Sequence, residues 1–415
     1  MGSTITTFDG LMKERYGDPS TVEKLIYPEN TLFTMLEKKG DTGMVGELLK
    51  QPLITGNPQG HGGVFGDAQD NVSNLRTYAF DITAGNYFSV LHIGDKVLEA
   101  SRTNAGAFLE NKKAEIDGLY EQVGENLSVY LWGNGGQALG QIATVSATEI
   151  QLMGRETAAN FEIGAVLKAS ANDGSDAAHS LRSGEEPVTG VTRETGVLTG
   201  AAWTDISSVA AGDFLFRDGD FFGNVGTVVL KGVQAFVTAT AAPPALWGIT
   251  AATRLTDPER FAGCRVGAVD LQGKTYEERI KTLLARMTGA YKAKRPTAGF
   301  MHPEDFAVLD TLMTARGQRM LTDESTKFGF AKIDVTTPAG TLPIYTDRHC
   351  PKGTFFALRM EDWAIHSMGE LVHPQNRDGF EMIRRSASTD YEFRLISYPL
   401  LSCRAPKNSG RVALS

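Results

Sequence analysis

The sequence predicts an α+β fold with an all-β domain inserted into it. Three observations predict it: one very long amphipathic helix from Asp95 to Trp132, a period-two hairpin before it, and a run of short strands after it that gives way to a C-terminal α/β part. The chain has 415 residues, 41% of them hydrophobic, which is enough for a large core or two to three domains.

Met1 to Gly46 is polar, with short apolar clusters punctuated by Pro19 and Pro28. It reads as an extended arm with one or two short helices. Such an arm buries little by itself and is expected to lie on a neighbouring subunit. Residues 47–85 read as a long hairpin. Leu48 to Ile54 goes out, and Leu75 to Thr83 returns with strict alternation. Between them Gly56, Gly60, Gly62, Gly63 and Gly66 sit among polar residues and predict a mobile tip. A lone hairpin is marginal in water, so this one is expected to pack on another copy.

Residues 86–140 hold the helix. Leu98, Ala105, Phe108, Leu109, Ile116, Leu119, Tyr120, Val123, Leu127, Val129 and Leu131 recur mostly three and four apart, so most fall on one face. A helix of this length spans roughly 50 Å, more than a small domain is wide. Gly106, Gly118 and Gly124 lie inside it, at about 1 kcal/mol each, so packing must hold it.

Residues 141–230 change character. Ile142–Val145, Glu149–Met153, Ala165–Ala169, Val188–Val191, Gly196–Thr199, Asp213–Arg217 and Thr227–Leu230 are short alternating runs separated by turn residues. Their spacing predicts a small barrel or sandwich. From Lys231 the pattern is α/β. Lys274 to Lys292 predicts a helix with Ile280, Leu283, Leu284, Met287 and Tyr291 on one face. Thr297 to Met301 predicts a strand. Pro303 opens the next helix, with Glu304 and Asp305 in its first turn, where acidic charge suits the dipole. Strands follow at 332–336, 342–346, 354–358 and 364–367, and Tyr391 to Cys403 reads as one long strand. The segments divide the chain at 1–46, 47–85, 86–140, 141–230, 231–338 and 339–415.

Several functions are disfavoured. The net charge of −8 and the lack of a basic patch speak against a dedicated nucleic-acid binder. Cys264, Cys350 and Cys403 are few, odd in number and widely spaced, with neither a disulfide framework nor a metal pattern. No apolar run is long enough to span a membrane. Gly133, Gly135, Gly136 and Gly140 follow a helix and not a strand, which is the wrong context for a phosphate loop. His366 with His373, or His349 beside Cys350, lacks a full ligand set. Asp218 and Asp220 near Asp213 read as a solvated acidic turn. Arg384, Arg385 and Arg394 read as salt-bridge partners across subunits. No catalytic, cofactor-binding or metal constellation emerges.

The C-terminal third carries a resemblance. The runs RPTAGFMHPEDFAVLDTLM, FAKIDVTTPAGTLPIYTDRHCPKGTFFALRMEDWAIHSMGE and SASTDYEFRLISYPLLSCRAP resemble the major capsid proteins of tailed bacteriophages, the Hong Kong 97 fold family. The order of the segments agrees with that family along most of the chain. The resemblance implies an N-terminal arm, an E-loop at 47–85, a spine helix, and P- and A-domain elements, with the β-rich segment as an accessory insertion. It implies a structural, non-enzymatic protein that self-assembles as hexamers and pentamers into an icosahedral virion shell around double-stranded DNA, in the host bacterial cytoplasm. Implied partners are further copies, a scaffolding protein, a portal and a decoration protein, with no cofactor, no membrane and no sequence-specific DNA contact. Assembly residues are placed at the loop's tip and base: Lys50, Gly60, Gly62, Gly63, Phe65 and Arg76. Gly106, Gly118 and Gly124 are placed as bend points of the spine helix. Some relatives cross-link their shells through an E-loop lysine, but none occurs here from Gln51 to Asp95, so no such cross-link is expected. No long charged prodomain precedes the arm, which implies a separate scaffold or a processed chain. An encapsulin-type compartment shares the fold and is the nearest alternative. A soluble multidomain enzyme with a β-rich domain, or a tail adhesin, would be a different class.

Overall fold

A computed structural model describes residues 30–40, 43–94, 105–175, 180–221, 229–315, 332–337, 340–376, 379–380, 382–385 and 390–414. Most of the expected arm and the first ten residues of the expected long helix fall outside these.

The long helix runs unbroken from Ala105 to Trp132, about 42 Å at 1.5 Å per residue. Ile116, Tyr120, Val123 and Leu127 form its buried stripe. Its last turns are buried nearly all round, with Tyr130, Leu131 and Trp132 no more than 2% exposed. Leu119 and Val129, expected on the buried face, are only partly buried. The helix joins two sheets. Tyr120 meets Phe393 on one of them, and Trp132 meets Phe300 and Phe356 on the other.

That second sheet is mixed and six-stranded among the described residues. Its order is Cys264–Arg265, Gly410–Ala413, Thr354–Leu358, Ala298–Met301, Gly340–Thr346 and Lys332–Thr337. The helices Tyr276–Thr288 and Pro303–Ala315 cover it. The first starts with a capping box made by Thr275 and Glu278, and it buries Ile280, Leu283, Leu284 and Met287 as its periodicity predicts. It ends before Tyr291, which still packs against the same cluster.

Six of the seven runs read as strands close into a barrel, in the order 197–200, 149–152, 140–145, 214–217, 166–170 and 186–192. The seventh does not join. Thr227 lies outside the described residues, and Val229 and Leu230 are not strand. Ile142, Ile150, Leu167, Leu198, Trp203, Ile206 and Leu215 fill the interior and are fully buried. Arg182 clamps the wall by donating two hydrogen bonds to Asp213, at 2.5 and 2.7 Å.

The hairpin pairs Leu48–Gly56 with Arg76–Thr83 in one antiparallel register, with a bulge near Gly56. Its base docks on this same chain. Leu53, Phe80 and Ile82 are buried, Phe80 meets Phe236, and Tyr78 meets Phe261. Between Asn57 and Leu75 none of the described residues is buried. The tip also holds a short helix, Phe65–Asp70, where the glycines predicted irregular loop.

Two further expectations are corrected. The chain from Asn30 to Lys39 is not an arm laid on a neighbour. Leu32, Phe33 and Leu36 are buried in this chain's own core, Leu32 N–H donates to Asp347 Oδ2, and Glu37–Lys39 adds a parallel strand beside Trp363–Ser367. The predicted strand from Tyr391 to Cys403 is two strands in different sheets. Tyr391–Ser397 pairs with Tyr87–Ile93, whereas Pro399–Cys403 pairs with Trp363–Ser367. Pro399 has no N–H to continue a ladder, and the chain changes sheets there.

Candidate assembly surfaces

The hairpin tip is the largest outward feature built from the predicted residues. Lys50 lies at the base, opposite Asp81 in the register, with its ammonium 3.9 Å from that carboxylate. Arg76 opens the return strand opposite Gly56, and its carbonyl accepts from Thr55 Oγ1. Gly62 lets the loop close on the tip helix, since a Cβ there would stand 2.8 Å from Ala68 N. Gly60 approaches Val72, and Gly63 faces open space. Phe65 starts the tip helix at 78% exposure, with Val64 at 64% and Val72 at 65% beside it in the loop. Apolar side chains this exposed, close together on one loop, make the tip a candidate interaction surface.

The glycines of the long helix are less alike. Gly118 is exposed with nothing near a would-be Cβ, while Gly124 is buried and its carbonyl accepts from Ser128 Oγ. The helix is continuous through both of them and through Gly106. A different glycine is held by geometry. Gly232 crosses the end of the long helix so closely that a Cβ would lie 2.2 Å from Leu131 O.

The other polar groups singled out from sequence do not converge. Asp213 is bound to Arg182, Asp218 to Lys168 at 2.7 Å, and Asp220 accepts from Tyr130. His366 Nε2 lies 3.1 Å from Ser402 Oγ, and His373 is bonded to Glu370 O. His349 Nε2 lies 3.1 Å from Glu125 on the long helix. No group of three metal-ligating side chains occurs among the described residues. All three thiols are buried, and burial pushes Cys264 up to about 12 and Cys350 and Cys403 well up. Arg394 and Arg385 both engage Glu392 within the chain, as structural salt bridges.

Three features escaped the sequence reading. Tyr87–Ile93 forms a strand that exposes Phe88 and Val90 on its outer face. Its Y-F-S-V-L-H-I alternation carried the signal. Arg254 is wholly buried and donates to the carbonyls of Pro244, Ala235 and Phe261, tying three turns together. Burial lowers it to about 10. The third is an ionic bridge from barrel to body, in which Arg155 and Lys352 both reach Glu304.

Comparison with known proteins agrees with this architecture. A family model described as SU10 major capsid protein matches residues 224–386. The capsid asymmetric unit of cyanophage A-1(L) is similar along 93% of both chains, at 11% identity and a TM-score of 0.50. A structure from Mycobacterium phage Ogopogo scores 0.41 at 8% identity, covering 93% of this chain and 92% of that one. An encapsulin from Synechococcus elongatus PCC 7942 scores 0.43 at 11% identity, covering 94% and 89%. No curated protein matches. The chain resembles the SU10 major capsid protein family in sequence over residues 224–386 and a phage capsid subunit in fold over most of its length.

Proposed function

We propose that many copies of this chain associate as hexamers and pentamers into the icosahedral shell of a tailed phage, enclosing its DNA in the Hong Kong 97 manner. In this reading residues 47–85 act as the E-loop and the long helix as the spine. The barrel is an insertion carried on the body, and portal, scaffold and decoration proteins are the further partners. The observation that carries the reading is the hairpin tip, with Phe65 78% exposed at the end of a projection whose base is docked on its own chain. A neighbouring subunit is the surface that covers it. Gly106, Gly118 and Gly124 supply positions at which the helix bends if the shell expands.

Expression of the chain, alone and with a candidate scaffold, followed by negative-stain electron microscopy, tests this directly. Closed shells, or rings of five and six, are expected. A clean monomer under both conditions removes the reading, and shells that fill with protein cargo in place of DNA favour a compartment. A denaturing gel of mature particles is expected to show single chains, because Lys50 is the nearest lysine to the loop and lies at its base. Covalent ladders that vanish in a Lys50→Arg chain would contradict that.

A further inference from the structure

A cleft of about 890 Å³ runs beside the hairpin base, between Leu49–Ile54 on one side and Glu37, Lys39, Trp363 and residues 404–408 on the other. Its charge is unlike that of the chain. Six lysines and arginines line it against three carboxylates, on a protein of net charge −8. Three of the cations have partners: Lys39 with Glu37, Arg260 with Asp257, and Lys50 at a distance with Asp81. The side chains of Lys294, Arg404 and Lys407 have no carboxylate partner among the described residues. The cleft's own acids are engaged elsewhere, Glu361 by Arg359 and Asp362 by Asn408.

Among the described residues, both strands that line the cleft carry an open edge. The short strand Met44–Val45 covers only Leu48 and Leu49, so from Lys50 onward the outgoing hairpin strand has a neighbour on one side only among the described residues. Pro52, which has no N–H, suits such an edge. Glu37–Lys39 is likewise the outer strand of its sheet. An open edge beside apolar and cationic side chains is a site for strand addition, in which the main chain gives affinity and alternate side chains give selectivity.

We propose that this cleft takes an extended acidic segment of a separate partner protein, which pairs along Lys50–Ile54 and sets its carboxylates against Lys294, Arg404 and Lys407. A segment in which acidic and apolar residues alternate meets both features at the period of a strand. A phosphate backbone would leave the exposed Ile54 unmatched. The tip of a second copy has the wrong shape, because its Asp67 and Asp70 sit on one helical turn.

The test uses the unassembled full chain and a fluorescent heptapeptide of alternating valine and glutamate, followed by anisotropy. Saturable binding is expected. It should weaken by about tenfold or more in a K294E/R404E/K407E chain, and again when alternate peptide nitrogens are methylated. A K294Q/R404Q/K407Q chain repeats the measurement if the reversal shifts the melting curve. Several results would each overturn the proposal: no saturable binding, binding indifferent to the three cations, or displacement by a ten-nucleotide oligothymidylate that binds at least as tightly. Loss of self-association in the variant with peptide binding intact would also do so, since it assigns the cleft to a second copy. The proposal does not depend on the shell reading, because peptide binding and particle formation are scored separately.

Discussion

The barrel and the hairpin are both built from short antiparallel strands, yet they solve opposite problems. The barrel closes its ladder on itself, so no strand edge is left over, and its interior is filled by Trp203, Ile206, Leu215 and their neighbours at 0% exposure. Among the described residues, the hairpin leaves one edge open beyond Leu49 and carries Val64, Phe65 and Val72 into solvent. The barrel is finished within one chain, whereas in the proposed shell the hairpin tip is completed by another. Substitutions in the first should therefore change folding, and substitutions in the second should change assembly.

The largest expected effect lies in the barrel. Trp203 is fully buried and its Nε1–H donates to Thr148 O, so Trp203→Ala should cost about 3–5 kcal/mol in denaturant unfolding. An unchanged midpoint would mean the barrel is not a packed core. A second effect comes from buried histidines in the body. Burial lowers both His302 and His366 below the usual histidine value of 6.5, with Asp305 and Glu304 facing the first and Lys39 and Glu37 facing the second. Their folded values lie below their unfolded ones. The associated stability is therefore fully present above pH 6.5 and is lost as pH falls through the lowered values. Chemical denaturation at stepped pH should show that decline, flattened in a His302→Gln chain. A decline that is the same size in that variant would assign it to other groups.

The smallest effect concerns the bridge between barrel and body. Lys352 and Arg155 hold the Glu304 carboxyl below the usual carboxylate range, but all three groups are substantially exposed. Arg155→Ala should therefore cost less than about 1 kcal/mol and should fade with salt. A loss of several kcal/mol would show that the two parts are coupled more tightly than their exposed contacts allow.

Much of this was legible because local rules and tertiary structure agree. The hairpin strands, six barrel strands and the helix from Tyr276 follow from period, and Pro303 does open a helix. What stayed hidden depends on partners distant in sequence. Leu32 and Phe33 look like short clusters in a polar arm until the turn at Thr346 and Asp347 receives them. Arg254 went unnoticed, because nothing local announces that the carbonyls of residues 235, 244 and 261 converge on it. Tyr398 and Pro399 sit in an apolar run whose period continues through a change of sheet. The candidate site divides in the same way. The tip glycines are visible as glycines, but the exposure of Phe65 and the open edge beyond Leu49 require the fold.

The difference between the two regions is tested most directly by light scattering and negative-stain microscopy of a Phe65→Ser chain beside the parent. Phe65 touches little of its own chain, so stability should stay within about 0.5 kcal/mol while particle formation drops sharply. Particles formed at the parent's rate and yield by a Phe65→Ser chain of parental stability would contradict the claim that the tip is completed by a neighbour.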